Sequence, residues 1–383
     1  MIPYGRQDIS QDDIDAVIAT LTSDFLTQGP AIPAFETAIS NHCGAGHAVA
    51  VNSATSALHI ACLALGVGPG DVVWTSPITF VASANCALYC GADVDFVDID
   101  DRTWNMCPQK LAEKLEQAKQ AGRLPKVVIP VHLCGQSCDM AAIGALATTY
   151  GFKIIEDASH AIGADYAGAP VGNCAHSDIA VFSFHPVKII TTAEGGLCTT
   201  NDAALARSMQ LFRSHGITRE SEEMTHAPDG PWYYQQVALG FNYRITDLQA
   251  ALGLSQMSRL RQFVTRRREI AARYDEALKG HGLQLPEPIE DADSSWHLYV
   301  VRVQPDMHLK IFEGLRKAGI GVNLHYIPVP SQPYYRDLGH DPELYPNAKD
   351  YYTQAISIPV YASMTNEDVD YVAGELLRLL DEC

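Results

Sequence analysis

Between Val181 and Gly196 the chain reads Val-Phe-Ser-Phe-His-Pro-Val-Lys-Ile-Ile-Thr-Thr-Ala-Glu-Gly-Gly, which places a single amine, Lys188, in an otherwise apolar segment. The β-branched run before it predicts a buried strand, and Gly195-Gly196 a tight turn. Burial disfavours an ammonium, so a lysine here can carry a lowered pKa and attack a carbonyl as a Schiff-base lysine. The same pattern also describes a lysine that snorkels from a strand end to water.

A carboxylate and an anion cradle accompany it. Glu156-Asp157-Ala158-Ser159-His160 follows the apolar Ile154-Ile155, so Asp157 is half buried by position and needs a cation or strong donors. A protonated heterocyclic nitrogen and a structural salt bridge would both serve. Asn52-Ser53-Ala54-Thr55-Ser56 runs from the short apolar stretch Ala48–Val51 into a helical pattern with Leu58, Ala61, Cys62 and Leu65 on one face. Ser or Thr there caps the helix, and the free N–H groups at its positive end suit a phosphate. Ser183 and His185 close a further strand.

The elements that must hold these groups recur at helix-sized intervals. Strands are expected at 72–75, 95–99, 127–131, 153–155 and 178–182, with helices at 108–121 and 140–150 between them. That alternation predicts an α/β chain with a mostly parallel sheet, whose ligands bind beyond the carboxyl ends of the strands. Thr246 is expected to cap a helix that the arginines at 259, 261, 266, 267, 268 and 273 continue as a solvated face. Past Pro286-Glu287-Pro288, strands at 298–303 and 320–323 flank a helix at 309–318, a small α+β unit. The division expected is a large domain over 1–255 and a linking helix with a small C-terminal α+β domain over 256–383, the N-terminal segment packing on the latter.

Composition narrows the function. The 383 residues are 47% hydrophobic and carry a formal net charge of -18, which argues against nucleic acid and against an anionic membrane surface. A small anionic ligand stays compatible, because local donors outweigh a screened acidic surface. The ten cysteines are scattered without CxxC spacing, so neither a zinc site nor a disulfide framework is expected. The first residues show no signal-peptide core and no run reaches about 18 apolar residues, so a cytoplasmic protein is expected.

Several of these stretches, in this order, resemble one family. Leu26-Thr27-Gln28-Gly29-Pro30, Asn52 to Leu58, Val131-His132-Leu133-Cys134-Gly135-Gln136, Glu156 to His160, Ser183-Phe184-His185, Lys188, Thr191 to Gly196, Phe241-Asn242-Tyr243-Arg244 and His325-Tyr326 look like the DegT/DnrJ/EryC1/StrS aminotransferases. The resemblance implies an aspartate-aminotransferase-like fold (fold type I) and pyridoxal 5'-phosphate as cofactor. It implies that Lys188 binds the cofactor and moves the proton, that Asp157 faces the pyridine nitrogen, and that His160 lies near the phenolic oxygen. It further implies that Ala54, Thr55 and Ser183 grip the phosphate and that Phe80 stacks on the ring. Asn242 would reach the phosphate of a neighbouring subunit, so a homodimer with shared sites is implied. Thr27, His185, His325 and Tyr326 are the substrate-side candidates. Lysine rather than histidine at 188 favours transamination over the dehydration of some relatives.

Within the family the motifs are most similar to the pseudaminic acid branch, which aminates C4 of UDP-2-acetamido-2,6-dideoxy-β-L-arabino-hexos-4-ulose with L-glutamate, releasing 2-oxoglutarate. Alternatives are a transaminase of the perosamine or bacillosamine type, acting on another 4-keto nucleotide sugar, and a non-catalytic cofactor-binding regulator.

Overall fold

The computed structural model describes residues 1–382; Cys383 lies outside the described residues. The centre is a seven-stranded sheet of β1 (His47–Val51), β2 (Val72–Thr75), β3 (Asp93–Phe96), β4 (Val127–Ile129), β5 (Lys153–Asp157), β6 (Ile179–Ser183) and β7 (Gly196–Thr200). Their spatial order is β1-β7-β6-β5-β4-β2-β3. The pairs from β6 through β3 are parallel, and β7 alone runs the other way, between β6 and β1. Five of these strands are buried along their whole length or all but the first residue, as expected of a sheet covered on both faces.

Helices α1 (Gln11–Leu21), α2 (Ala31–Cys43), α3 (Ala54–Ala64), α4 (Ala82–Tyr89), α5 (Pro108–Gln120), α6 (Met140–Tyr150) and α7 (Ala203–Arg213) come from this half of the chain. Each of α1, α3, α6 and α7 starts on a Ser or Asp whose side chain accepts a first-turn N–H. Two apolar layers result. Leu58, Ile60, Phe96, Val127 and Val181 lie in the core that α3 and α4 cover, and Trp74, Leu111, Val128 and Ile143 in the one under α5 and α6.

Two expectations about the second half need correction. The helix capped by Thr246 is α8 (Asp247–Met257), and the chain breaks at Ser258 and Arg259 before α9 (Leu260–Leu278). The arginines are a solvated face only in part: Arg261 and Arg273 are exposed, and the other four are half-buried or buried. Arg259 ion-pairs with Asp8 and Asp13, Arg268 with Asp293, and Arg267 is 1% exposed, its Nη1 donating to the carbonyls of Trp296, His297 and Val360 at 3.0–3.2 Å. The arginine pattern concealed this because a buried guanidinium can be satisfied by carbonyl oxygens that sequence does not reveal.

The strand expected at 320–323 is absent as a strand. Ile320 bridges Ile2 and Asn323 bridges Ser357, so the backbone alternates between two partners and builds no ladder. The neighbouring hairpin-like pair is β8 (Tyr299–Arg302) with β9 (Ala355–Ile358), antiparallel. A further core of Tyr274, Val301, Ile311, Ile356, Val372 and Leu376 joins this pair to α9, α10 (His308–Lys317) and the C-terminal helix Asn366–Asp381. Residues 2–4 pack there, Gly321 N–H donating to Ile2 O and Val360 N–H to Tyr4 O, whereas α1 packs on α8.

Candidate active site

Sheet topology brings the chemistry to one edge. Strands β1, β5 and β6 all end there, and antiparallel β7 begins there; the register sets Val51 and Ser183 both opposite Gly196, and Asp157 opposite Val181. The Asn52–Thr55 turn, Asp157, Ser183 and the loop bearing Lys188 therefore share one end of the sheet.

That loop, 184–195, is closed at its base. Phe184 N–H donates to Gly195 O at 2.9 Å, Thr192 N–H to Phe184 O at 3.0 Å, and the Thr191 hydroxyl to the same carbonyl at 3.0 Å. Ile189 and Ile190 are buried against Phe35 and Phe184, which anchors the segment on one side and leaves Lys188 on the other. Among the described residues Lys188 Nζ has no ion-pair or hydrogen-bond partner. Burial pulls its pKa down to about 8, with the Asp157 charge pulling the other way.

Asp157 is 5% exposed and firmly held. Oδ2 accepts from the Ser83 hydroxyl at 2.5 Å, and Oδ1 from the Ser159 hydroxyl at 2.5 Å and the Ser159 N–H at 3.1 Å. No salt bridge reaches it among the described residues, so its charge is met by hydroxyls and an amide and is left facing the cleft. Glu156, pointing to the opposite face, is tied to His132 at 2.8 Å and Ser177 at 2.5 Å.

His160 Nε2 lies 3.1 Å from Tyr326 Oη. Its pKa is driven well below the ordinary imidazole value by burial, then by Lys188 and His325. His325, bonded to Ser357 through Nδ1 at 2.8 Å, is likewise held down to about 3 by burial and Lys188. His297, which sequence did not single out, sits 4.4 Å from the His160 ring, centroid to centroid, and is also kept neutral by burial. The lysine thus stands among imidazoles that do not add positive charge. Burial, then Asp157, pushes the Tyr326 phenol up, so it stays protonated.

At the anion end Ser53 caps α3 by accepting the Ser56 N–H, while the N–H groups of Ala54 and Thr55 have no acceptor among the described residues. β7 presses against this turn so closely that a Cβ on Gly196 would lie 2.5 Å from Ala54 N and 2.4 Å from Ser53 C. Ser183, buried, lies on the neighbouring strand end. Phe80 follows β2 and is 59% exposed, its ring 6.2 Å from that of Tyr326.

The substrate-side candidates divide. His325 and Tyr326 lie at the site with Lys188 and His160, whereas His185 is exposed on the loop rim. Thr27 and Asn242 are exposed as well, both on backbone bridges near this end: Thr27 to Thr246 and Asn242 to Ser214. Sequence reasoning missed Ser83 as a partner of Asp157, because it is 74 residues away with no motif of its own.

Pyridoxal phosphate requires an amine for its aldehyde, an anion for its ring nitrogen and a cradle for its phosphate. Free Lys188, the anchored Asp157 and the unclaimed N–H pair of α3 fit it. Among the described residues no group of His, Cys, Asp or Glu is arranged to hold a metal, and no helix is long and apolar enough to cross a membrane.

Comparison with known proteins agrees. A transaminase of Campylobacter jejuni subsp. jejuni (serotype O:23/36, strain 81-176), named UDP-4-amino-4,6-dideoxy-N-acetyl-beta-L-altrosamine transaminase, is 38% identical over 100% of this chain and 98% of its own. Helicobacter pylori PseC, an aminotransferase of pseudaminic acid biosynthesis, superposes with a TM-score of 0.91 at 31% identity, covering 100% of both chains. Streptococcus pneumoniae Spr1654, solved in PMP and PLP forms, superposes at 0.91 and 0.90, also at 31% identity and over 100% of this chain, with 100% and 99% of its own covered. The family profile of the DegT/DnrJ/EryC1/StrS aminotransferases matches residues 7–377, and the chain, with its half-buried lysine and anchored aspartate at one end of the sheet, belongs to that family.

Proposed function

We propose that the protein is a pyridoxal-phosphate-dependent transaminase that takes the amino group of L-glutamate and places it on C4 of UDP-2-acetamido-2,6-dideoxy-β-L-arabino-hexos-4-ulose. The product is UDP-4-amino-4,6-dideoxy-N-acetyl-β-L-altrosamine, for pseudaminic acid synthesis in the cytoplasm. The observation that carries the reading is the half-buried Lys188, without a hydrogen-bond partner among the described residues and with its pKa lowered to about 8, beside the anchored Asp157. The names of the Campylobacter and Helicobacter relatives support the choice of sugar.

Bound pyridoxal phosphate supplies an aldehyde for the amino group and a protonated ring that accepts the electron pair of the broken C–H bond. The protein's part follows from its own residues. Asp157, anchored by Ser83 and Ser159, would face the ring nitrogen and hold a proton there. Lys188 Nζ, partly unprotonated near neutral pH, takes the proton from the substrate carbon and returns it, the role of a general base tuned to working pH. Neutral His160 and protonated Tyr326 offer hydrogen bonds at the phenolic side without charge. Ala54, Thr55 and Ser183 would hold the phosphate, Phe80 would cover the ring, and Asn242 would serve the corresponding cradle of a second subunit. His325, Thr27 and His185 border the space for the sugar.

Borohydride reduction followed by peptide mapping should place the pyridoxyl label on residue 188, and label elsewhere or nowhere refutes the proposal. Incubation with glutamate and UDP- or GDP-linked 4-keto sugars, followed by product identification, decides between this sugar and those of perosamine or bacillosamine type. Release of labelled 2-oxoglutarate without sugar rules out a non-catalytic regulator.

A further inference from the structure

We propose that Ser83 is a positioning residue for the ring-nitrogen contact, setting the aim of Asp157; this deepens, and rests on, the reading that Asp157 faces the cofactor ring. Ser83 lies in the first turn of α4, fully buried, and its hydroxyl is 2.5 Å from Asp157 Oδ2. A second hydroxyl stands behind it, Thr79 Oγ1 at 2.7 Å from Ser83 Oγ. Since the Ser83 proton goes to the carboxylate, Thr79 is the donor of that second bond, and the two form a chain directed at Asp157.

The position of Ser83 is set independently of the carboxylate. Its neighbours Ala82, Ala84 and Cys86 are buried, and the Cys86 thiol lies 3.3 Å from the Ser83 carbonyl. Helix α4 therefore brings a rigid donor to Oδ2, while Ser159 serves Oδ1 from the strand-end loop of Asp157 itself. The two oxygens are restrained from two different elements, which stops rotation about the Cβ–Cγ bond. Phe80 stands between Thr79 and Ser83, so the segment that offers an aromatic face to the ring also steadies the carboxylate at its nitrogen.

Each donor restrains one oxygen of the carboxylate. Without the Ser83 hydroxyl, Asp157 Oδ2 loses this donor and the carboxylate is less fixed. The pairing with the ring nitrogen is mismatched, and the visible absorption of lysine-bound cofactor, which senses the ring's charge, titrates at a different pH.

The experiment compares wild type, Ser83→Ala, Ser83→Thr and Thr79→Val, each loaded with pyridoxal phosphate. It records the pH midpoint of the visible band, kcat and KM for glutamate, and the thermal midpoint. Expected for Ser83→Ala is a band midpoint displaced by about half a unit or more and a kcat about 10-fold or more lower, with KM little changed; Ser83→Thr, which keeps the hydroxyl, restores both. An unchanged band midpoint and kcat in Ser83→Ala, with only the thermal midpoint lowered, overturns the proposal. If Ser83→Ala does not fold, Thr79→Val decides, a smaller displacement in the same direction supporting the proposal and none refuting it. A wild type that forms no visible band at all refutes instead the assignment of the cofactor to Lys188.

Discussion

Lys188 owes its reactivity to what surrounds it. An amine with a pKa near 8 in the folded protein and an ordinary one of 10.5 when unfolded opposes folding wherever the unfolded chain binds the extra proton. The penalty is fully present below about pH 8 and is relieved as pH rises toward 10.5. The apoprotein should therefore gain stability across that window by up to about 3 kcal/mol relative to Lys188→Met, as urea denaturation at several pH values will show. In the loaded enzyme, Lys188→Ala should abolish the visible cofactor band and reduce turnover by about 10^3-fold or more, measured by amino transfer from glutamate. Asp157 and Lys188 were legible in the sequence because each interrupts an apolar run, where an unmatched polar group requires a reason. Ser83 and His297 were not, since a serine in an alanine-rich helix and a histidine next to a tryptophan gain their meaning only from partners 74 and 137 residues away.

At the level of elements, the phosphate turn depends on β7 lying close against the start of α3. Gly196→Ala inserts a methyl group within 2.5 Å of Ala54 N, so the turn must move. Cofactor affinity should fall by about 10-fold or more in a pyridoxal phosphate titration, with a stability loss of about 2 kcal/mol or more on denaturation. Ser53→Ala, which removes only the cap, should cost about 1 kcal/mol and affect the site less. The helices at 108–121 and 140–150 were readable from periodicity almost to the residue. The parallel strands were read less closely, β3 lying at 93–96 rather than 95–99, and antiparallel β7 was not read at all, Gly196 having been expected in a tight turn. The failed elements have a common cause: the strand at 320–323 and the arginine face of α9 are decided by partners from remote segments, Ile2, Ser357 and the carbonyls of residues 296, 297 and 360.

In the whole molecule α9 binds two apolar cores together, Leu260, Phe263 and Val264 belonging to one and Ile270, Tyr274 and Leu278 to the other. Arg267 sits between them and ties β8's approach and the Val360 turn to the helix. Arg267→Met leaves three buried carbonyls without a donor and should lower unfolding free energy by about 3 kcal/mol, measured in urea. The proposed second subunit can be tested at this scale too. If Asn242 serves the neighbour's phosphate, then mixing Lys188→Ala and Asn242→Asp subunits should yield hybrids more active than either variant alone, because one composite site is then intact.

The stapled base of the 184–195 loop has a consequence for how such proteins diversify. Because Phe184 and Gly195 are locked to each other, no residue can be inserted or deleted between them without shifting the amine off its mark. Novel cargo is then accommodated at the rim, by side-chain changes in the exposed stretches around Thr27 and from Glu220 to Trp232. The reaction is thus the inherited part of the design and the sugar the negotiable one.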